Sequence, residues 1–412
     1  MSNGSTAPVS VIVPTYNRGH LIGQSIDSLL EQTLQPQEII VVVDGSTDST
    51  MDVLSRYGKR IRVVRTENGG KSKALNLALS MVSNPYTWIF DDDDIACPDA
   101  LKRLYPVLEE NPGIGISYGT LDTFSGDWPS AVGAPLTCFQ SQDRCFLYLM
   151  LMQSFFIWQG AMLVRTECYR AVGAFDERFT RSQDYDMALR LLHRFSAIGV
   201  PHVIFHQRQH PGDRGPSHAR LRARNAEVVW AGFHRMIANQ IHEAHRLEEF
   251  VCNSGKPLDA RSTITALIQR AMIMARAGVW DKACVDLADA AGRSSELSDF
   301  DLNLQELAAL RGVFERSSRS RFGSAQEARS FRTAIRKFDR KIAAKLLGNL
   351  LLPVTNRIKL MPLRPDKLQE TRQLGYLAGS LLSLPILREY LAARRSKDRL
   401  FGVQLLAPER TS

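Results

Sequence analysis

The chain has 412 residues, a formal net charge of +9 and 44% hydrophobic residues. This length leaves room for two to three globular domains, each with a full hydrophobic core. The six cysteines are scattered and form no C-x-x-C pair, so the sequence indicates neither a zinc site nor a disulfide framework. Residues 1–8 lack the basic and apolar segments of a secretory signal. We therefore expect a cytoplasmic globular protein.

The first ninety residues alternate between strand and helix patterns. The predicted elements are a strand at 10–13, a helix at 21–30, a strand at 38–43, a short helix after 50, a strand at 61–64, a helix at 71–81 and a strand at 87–90. Alternation of this kind is typical of a mostly parallel sheet with helices on both faces. The sequence therefore predicts a Rossmann-like α/β domain at the start of the chain.

Acidic residues follow two of these strands directly. The strand at 87–90 runs into Asp91–Asp94, and the strand at 38–43 ends on Asp44. Adjacent carboxylates repel one another, so a folded protein carries them on a solvated turn or around a cation. A turn is also an alternative for Asp44, which precedes Gly45. Because open α/β sheets bind ligands at the carboxyl ends of their strands, we expect both acidic sites to share one crevice.

Six motifs, in this order along the chain, resemble the signatures of family 2 glycosyltransferases. They are SVIVPTYNR (10–18), VVVDGSTDST (41–50), ENGGKSKALNLAL (67–79), DDDDIACPDAL (91–101), GAFDERF (173–179) and QDYDMALRL (183–191). Each motif is common by itself, whereas six in the same order are specific. The resemblance covers residues 8–218 and implies a GT-A fold, a nucleotide-diphospho-sugar donor, a divalent cation and inversion at the anomeric carbon.

The resemblance also implies which residues bind the donor. Pro14, Thr15 and Tyr16 would line the nucleoside pocket, Asp44 would accept a hydrogen bond from the base, Lys71 and Asn76 would lie beside the donor, and Asp92 would contact the ribose. A core aromatic is the alternative for Tyr16, and an exposed helix face is the alternative for Lys71 and Asn76. A UDP-sugar is the favoured donor.

Metal and catalytic residues follow from the same resemblance. Asp91 and Asp93 match the metal motif, His210 matches a position near the cation or diphosphate, and Asp94 is assigned to a cap of the following loop. Carboxylate oxygens suit Mg²⁺ or Mn²⁺. Asp184 matches the catalytic base, with Asp186 as the second candidate. The alternatives are an ordinary helix N-cap for Asp184 and a solvated side chain for His210.

The expected activity is transfer of one sugar to an acceptor hydroxyl. The Gln-x-x-Arg-Trp signature of processive synthases is absent, so we expect a single sugar per encounter. The acceptor would be a glycan or glycolipid in surface polysaccharide or glycoconjugate assembly. A non-catalytic sugar-nucleotide-binding protein and a pyrophosphorylase-like enzyme remain alternatives, although the second would need a Gly-rich basic loop after the first strand.

Residues 145–164 carry no charge over twenty positions, which is the length of a membrane span. A span here would place Asp44 and Asp93 on the opposite side of the membrane from Asp184, and the site could not assemble. We therefore predict a buried helix followed by a core strand at 160–164.

The second half of the chain is predicted to be mainly α-helical. A helical domain at 219–315 would contain one tetratricopeptide-like helix pair at 266–291. Residues 321–412 carry 19 Lys and Arg against seven acidic residues, and this basic tail is expected to begin at 316. Its uncharged runs, 346–356 and 373–387, are framed by basic residues.

Such a tail suits the anionic inner surface of a membrane, where the protein would be peripheral. The alternatives are packing of these leucines within the protein or pairing with another subunit in a homo-oligomer. Aromatic residues are sparse in the tail and it carries no nucleic-acid-binding motif, so a nucleic-acid partner is not expected.

Overall fold

The computed structural model describes residues 5–130, 132–136, 138–209, 226–252, 256–313, 322, 324–360 and 384–395. The chain divides into two compact units. The first comprises residues 1–151 and 155–226, and the second comprises residues 152–154 and 227–412. The predicted three-domain division, 8–218, 219–315 and 316–412, stays a prediction.

The first unit alternates strands and helices. Its strands are β1 (Thr6–Thr15), β2 (Gln35–Asp44), β3 (Arg62–Thr66), β4 (Tyr86–Ile89), β5 (Ile95–Ala96), β6 (Ile116–Ser125), β7 (Met162–Arg165) and β8 (Ala197–Gln209). Its helices are α1 (Ile22–Leu30), α2 (Thr50–Ser55), α3 (Lys71–Met81), α4 (Ala100–Glu110), α5 (Arg144–Gln153), α6 (Thr166–Val172) and α7 (Gln183–Arg194).

All eight strands belong to one sheet, in the order β3-β2-β1-β4-β7-β6-β8-β5. Strands β3, β2, β1 and β4 are parallel to one another, and β6 is parallel to β8. Strand β7 is antiparallel to both β4 and β6, and β5 is antiparallel to β8. The central strands are apolar on both faces because helices cover both; Val11, Ile12, Val41 and Val42 are fully buried. The predicted fold class, a mostly parallel sheet covered by helices, is confirmed.

This topology brings three loops to one edge of the sheet. Strands β2, β1 and β4 lie side by side and run in the same direction. The loops that follow Asp44, Thr15 and Ile89 therefore leave the sheet at the same edge. The aspartates at 91–94 lie in the last of these loops, which is the place the sequence predicts for a shared crevice.

The uncharged stretch at 145–164 forms α5 and β7, as predicted. Leu147 and Leu151 of α5 are fully buried, and so are Leu163 and Val164 of β7. Among the residues that the structure describes, no helix combines the length and apolar character needed to cross a membrane.

The second unit is helical in its described parts, which confirms the expectation for this half of the chain. Its helices are α8 (Ala226–Ala244), α9 (Ala260–Arg276), α10 (Trp280–Ser294), α11 (Leu304–Gly312), α12 (Ala325–Ile335), α13 (Arg340–Leu360) and α14 (Leu384–Arg395). Reciprocal capping boxes at Asp259, Asn303 and Ser324 begin α9, α11 and α12. The predicted helix pair at 266–291 is present as α9 and α10.

Candidate functional site

Asp44 connects the end of β2 to the loop that precedes α3. Its buried carboxylate accepts backbone N–H bonds from Gly69 at 2.7 Å and from Gly70 at 2.9 Å. The next residue, Gly45, has a φ of 70°, and a Cβ there would lie 2.6 Å from the backbone nitrogen of Asn68. The turn after Asp44 therefore requires glycine. Asp44 lies at the predicted edge, and its contact with a base stays a prediction.

The loop after β1 carries a cation, Arg18, to which the motif resemblance assigns no role. Pro14 and Thr15 are buried and Tyr16 is half-buried. Arg18 follows them, with Nε 3.8 Å from Asp92 Oδ1 and Nη2 3.6 Å from Asp93 Oδ2. Arg18 could have been identified from the sequence, because it is a basic residue at the end of the first motif. Parallel topology places the loop that carries it beside the aspartates.

Three of the four aspartates form one acidic group. Carboxylate oxygens of Asp91, Asp93 and Asp94 lie within 4.8 Å of one another. Asp94, assigned from sequence to a loop cap, is buried and belongs to this group. Burial, followed by the charges of Asp93 and Asp91, raises the pKa of Asp94 well above its usual value. Clustered hard oxygen ligands of this kind fit a divalent cation such as Mg²⁺ or Mn²⁺.

Asp92 lies near Arg18, and its surroundings disfavour the ionised carboxylate. Its side chain is 13% exposed. Burial, with a further contribution from Asp93, raises the pKa of Asp92 to about 7, although the nearby Arg18 opposes the shift. The aspartate loop thus carries more like charge than its surroundings neutralise, which is a feature of functional sites.

Lys71 links the aspartate loop to α7. It is the first residue of α3, and its Nζ lies 2.6 Å from Asp91 Oδ1. Burial disfavours the charged ammonium, but the carboxylates of Asp91, Asp184 and Asp92 outweigh burial and raise the pKa of Lys71. Lys71 therefore interacts with these acids, and its position beside the donor stays a prediction.

Asn76 holds the segment that leads to α7. Its Nδ2 donates to the Phe175 carbonyl at 3.0 Å, and its Oδ1 accepts from the Phe175 N–H at 2.8 Å. One turn earlier, Ser72 Oγ donates to the Phe179 carbonyl at 3.0 Å. Helix α3 thus positions the GAFDERF segment through side-chain amide and hydroxyl groups. A contact between Asn76 and the donor stays a prediction.

Asp184 lies in the first turn of α7 and is not the N-cap of this helix. The N-cap is Ser182, and Asp184 Oδ1 instead accepts from the Tyr185 N–H at 2.9 Å. Burial raises the pKa of Asp184, while the charge of Lys71 opposes the shift. A carboxylate with a raised pKa is a stronger base, which is the property that general-base catalysis needs.

The second candidate base, Asp186, is engaged elsewhere. Its Oδ2 accepts from Arg190 Nε at 2.9 Å and from Nη2 at 2.8 Å. The Arg190 guanidinium also reaches the Val172 carbonyl at 3.0 Å. This ion pair, in which two donors of Arg190 share one carboxylate oxygen, favours a structural role for Asp186. The remaining predicted residue, His210, lies outside the described residues.

The mostly parallel sheet, with its acidic loops at one carboxyl edge, agrees with the GT-A fold that the motif resemblance implies. The model of glycosyl transferase family 2 matches residues 10–162. These residues are similar to that family and include the first four of the six motifs, so the resemblance drawn from the motifs is confirmed over this stretch.

Relatives by sequence include proteins named as glycosyltransferases. The uncharacterized glycosyltransferase RT0329 of Rickettsia typhi is 28% identical over 235 residues, which cover 56% of this chain and 73% of the relative. An uncharacterized glycosyltransferase of Rickettsia bellii is 26% identical over 56% of this chain, but only 34% of the relative is covered. Chondroitin synthase of Pasteurella multocida is 28% identical over 44% of this chain and 18% of its own.

Solved structures with a similar fold include S. aureus TarS 1–349, at 15% identity and a TM-score of 0.48, covering 95% of this chain and 91% of that one. Another is the mannosyltransferase PcManGT from Pyrobaculum calidifontis in complex with GDP-Man and Mn²⁺. It is 17% identical, with a TM-score of 0.45, over 93% of this chain and 87% of that one.

Proposed function

We propose that the first unit transfers a single sugar from a nucleotide-diphospho-sugar to an acceptor hydroxyl, with inversion at the anomeric carbon. The observation that carries this proposal is the position of Lys71. Its ammonium lies 2.6 Å from Asp91 and its pKa is raised by Asp184 as well. This supports one site that combines the acidic group after β4 with the first turn of α7, as a metal-assisted transfer with a nearby base requires.

Each group in this site has a distinct task. Asp91, Asp93 and Asp94 would hold Mg²⁺ or Mn²⁺, which when bound supplies positive charge that stabilises the diphosphate leaving group. Arg18 and Lys71 add fixed positive charge at the same edge. Asp184 takes the proton of the acceptor hydroxyl while the hydroxyl oxygen attacks the anomeric carbon. The bond between this carbon and the diphosphate breaks on the opposite side. One displacement inverts the configuration.

The nucleoside would bind between the loops that follow β1 and β2. Pro14, Thr15 and Tyr16 lie at the end of β1, and Asp44 lies at the end of the neighbouring strand β2. We expect a UDP-sugar as donor and a glycan or glycolipid of surface polysaccharide assembly as acceptor. Both expectations rest on the motif resemblance.

The test is a screen of UDP-, GDP- and dTDP-sugars for Mn²⁺-dependent binding and slow hydrolysis by the full chain. We expect one nucleotide class to bind and to be hydrolysed, and chelation to abolish the hydrolysis. Binding without turnover, even with a broad set of glycan acceptors, would favour the non-catalytic alternative. No binding by any sugar nucleotide in the presence of Mn²⁺ would refute the proposal.

We also propose that the basic tail contacts an anionic membrane surface, which would place the protein at the inner face of the membrane. Helix α14 supports this proposal. Leu387 and Leu391, one turn apart, are each 42% exposed, and Arg388 and Arg394 on the same helix are exposed as well. Exposed leucines beside arginines are typical of helices that lie in the membrane interface.

A further inference from the structure

Arg208, near the end of β8, is a buried cation that contacts the aspartate loop. Only 5% of the residue is exposed. Its Nε donates to the Asp93 carbonyl at 3.0 Å, its Nη2 donates to Gln24 Oε1 at 2.6 Å, and its Nη1 donates to the Gly126 carbonyl. The guanidinium carbon also lies 4.5 Å from the centroid of the Phe124 ring. Each of the three guanidinium nitrogens therefore donates a hydrogen bond.

These contacts join elements that are far apart in the sequence. Gln24 belongs to α1, Asp93 to the loop after β4, and Gly126 follows β6. The guanidinium is planar and presents its donors in a rigid fork, so it holds its acceptors in one relative geometry. Lysine, a compact point charge on a flexible stem, cannot reproduce that fork.

Arg208 contacts two successive members of the acidic group in two different ways. Its side chain binds the carbonyl of Asp93, and its backbone N–H donates to Asp94 Oδ1 at 2.9 Å. The three side-chain acceptors are two carbonyls and one amide oxygen, so these bonds do not neutralise a carboxylate. Their effect is to fix the backbone of a loop whose carboxylates repel one another and would otherwise separate.

We propose that Arg208 is a positioning residue that holds Asp93 and Asp94 in the geometry that binds the divalent cation. It acts through the loop backbone, without contact to the substrate. The inference rests on the proposed cation site. Neither composition nor spacing marks this arginine, because its partners lie 184, 115 and 82 positions away.

The test measures Mn²⁺ binding to the full chain without nucleotide. The paramagnetic resonance signal of free Mn²⁺ reports how much of the ion is bound. Arg208→Lys keeps the charge and removes the fork. Changes to groups that orient metal ligands typically cost about 10- to 100-fold in metal affinity, and we expect a loss in that range. Circular dichroism would show that the variant is folded.

Arg165→Lys is the matched control. Arg165 also binds three oxygens with its guanidinium, the Ile114 carbonyl at 2.9 Å, the Tyr86 hydroxyl at 3.0 Å and the Leu108 carbonyl at 2.6 Å. It pairs with the first residue of β4, at the opposite end of that strand from the aspartates. We expect Arg165→Lys to lower thermal stability and to leave Mn²⁺ affinity unchanged.

Two results would overturn the inference: a folded Arg208→Lys variant with the Mn²⁺ affinity of the natural protein, or an equal loss of affinity in Arg165→Lys. Should Arg208→Lys not fold, Gln24→Ala removes one anchor of the same fork. It should weaken Mn²⁺ binding, and an unchanged dissociation constant would again refute the role. If the natural protein itself does not bind Mn²⁺, the proposed cation site fails, which is a different outcome.

Discussion

The aspartate loop of the first unit and the buried ion pairs of the second unit balance their charges in opposite ways. In the second unit, each of two buried carboxylates has its own guanidinium: Glu306 accepts from Arg261 at 2.6 and 3.0 Å, and Asp286 accepts from Arg270 at 2.6 and 2.9 Å. In the first unit, four successive aspartates share one loop. The pKa values of two of them, Asp92 and Asp94, are raised by burial and by their neighbours.

The difference separates structural charges from functional ones. A buried carboxylate that is paired and fully hydrogen-bonded contributes to a specific fold, and removing it leaves its partner uncompensated. Crowded carboxylates repel one another and destabilise the fold until a cation binds. Removing an acid of the aspartate loop should therefore damage activity, whereas removing a paired acid of the second unit should damage stability.

The largest expected effect is on activity, from Asp93→Ala. We expect metal-dependent turnover of the sugar nucleotide to fall below detection, because one of three grouped carboxylates is lost. Thermal stability in chelator should be unchanged or higher, because a like charge has been removed. Turnover assays and thermal unfolding measure both quantities. Near-normal turnover, with chelator present, would contradict the metal assignment.

Asp184→Asn should lower transfer while donor binding persists. The amide keeps the size of the side chain but cannot accept the acceptor's proton, so we expect a loss of about two to four orders of magnitude, the usual contribution of general acid–base catalysis. Transfer rates and donor dissociation constants would be measured.

Asp186→Asn is the control for that variant. It weakens the pair with Arg190, so it should reduce stability more than transfer. If transfer by the Asp184→Asn variant equals that of the natural protein, Asp184 is only a residue of the first helical turn.

Glu306→Ala should mainly lower stability, whereas Asp93→Ala should mainly lower activity. Glu306 is fully buried and also accepts from Thr265 Oγ1 at 2.8 Å. We expect a loss of about 3 kcal/mol in the free energy of unfolding, the lower end of the range for broken buried pairs, because Arg261 is 34% exposed and can reach water. Denaturant titration gives this value. Stability equal to that of Asp93→Ala would remove the contrast between the units.

The smallest expected effect concerns membrane attachment. Leu391→Glu should weaken co-sedimentation with anionic vesicles by about tenfold or more, since burial of one leucine is worth roughly 1.5–3 kcal/mol. Added salt should weaken binding of the natural protein, because it screens exposed charges.

Val285→Glu is the control, as Val285 is an apolar residue of α10 that is 68% exposed. Vesicle binding that is equal in all variants would favour packing of the tail within the protein or against another subunit.

Local sequence patterns were sufficient to predict much of the first unit. The apolar runs before Asp44 and before Asp91 predicted β2 and β4, and helical periodicity predicted α1 and α3. Since consecutive β-α units form parallel strands, the shared edge of Asp44 and the aspartate loop followed without tertiary information. Periodicity and connection rules act over short distances along the chain, which is why these elements were accessible.

Only the folded structure shows which charges meet at that edge. Strand β7 lies between β4 and β6 in the sheet, and Asp94 belongs to the acidic group. Lys71 interacts with Asp91 and Asp184, which are 93 positions apart. Arg18 and Arg208 contact the aspartate loop from opposite parts of the chain. These contacts depend on how distant elements pack. No local pattern records them, because the geometry that joins two side chains is set by the backbone between and around them.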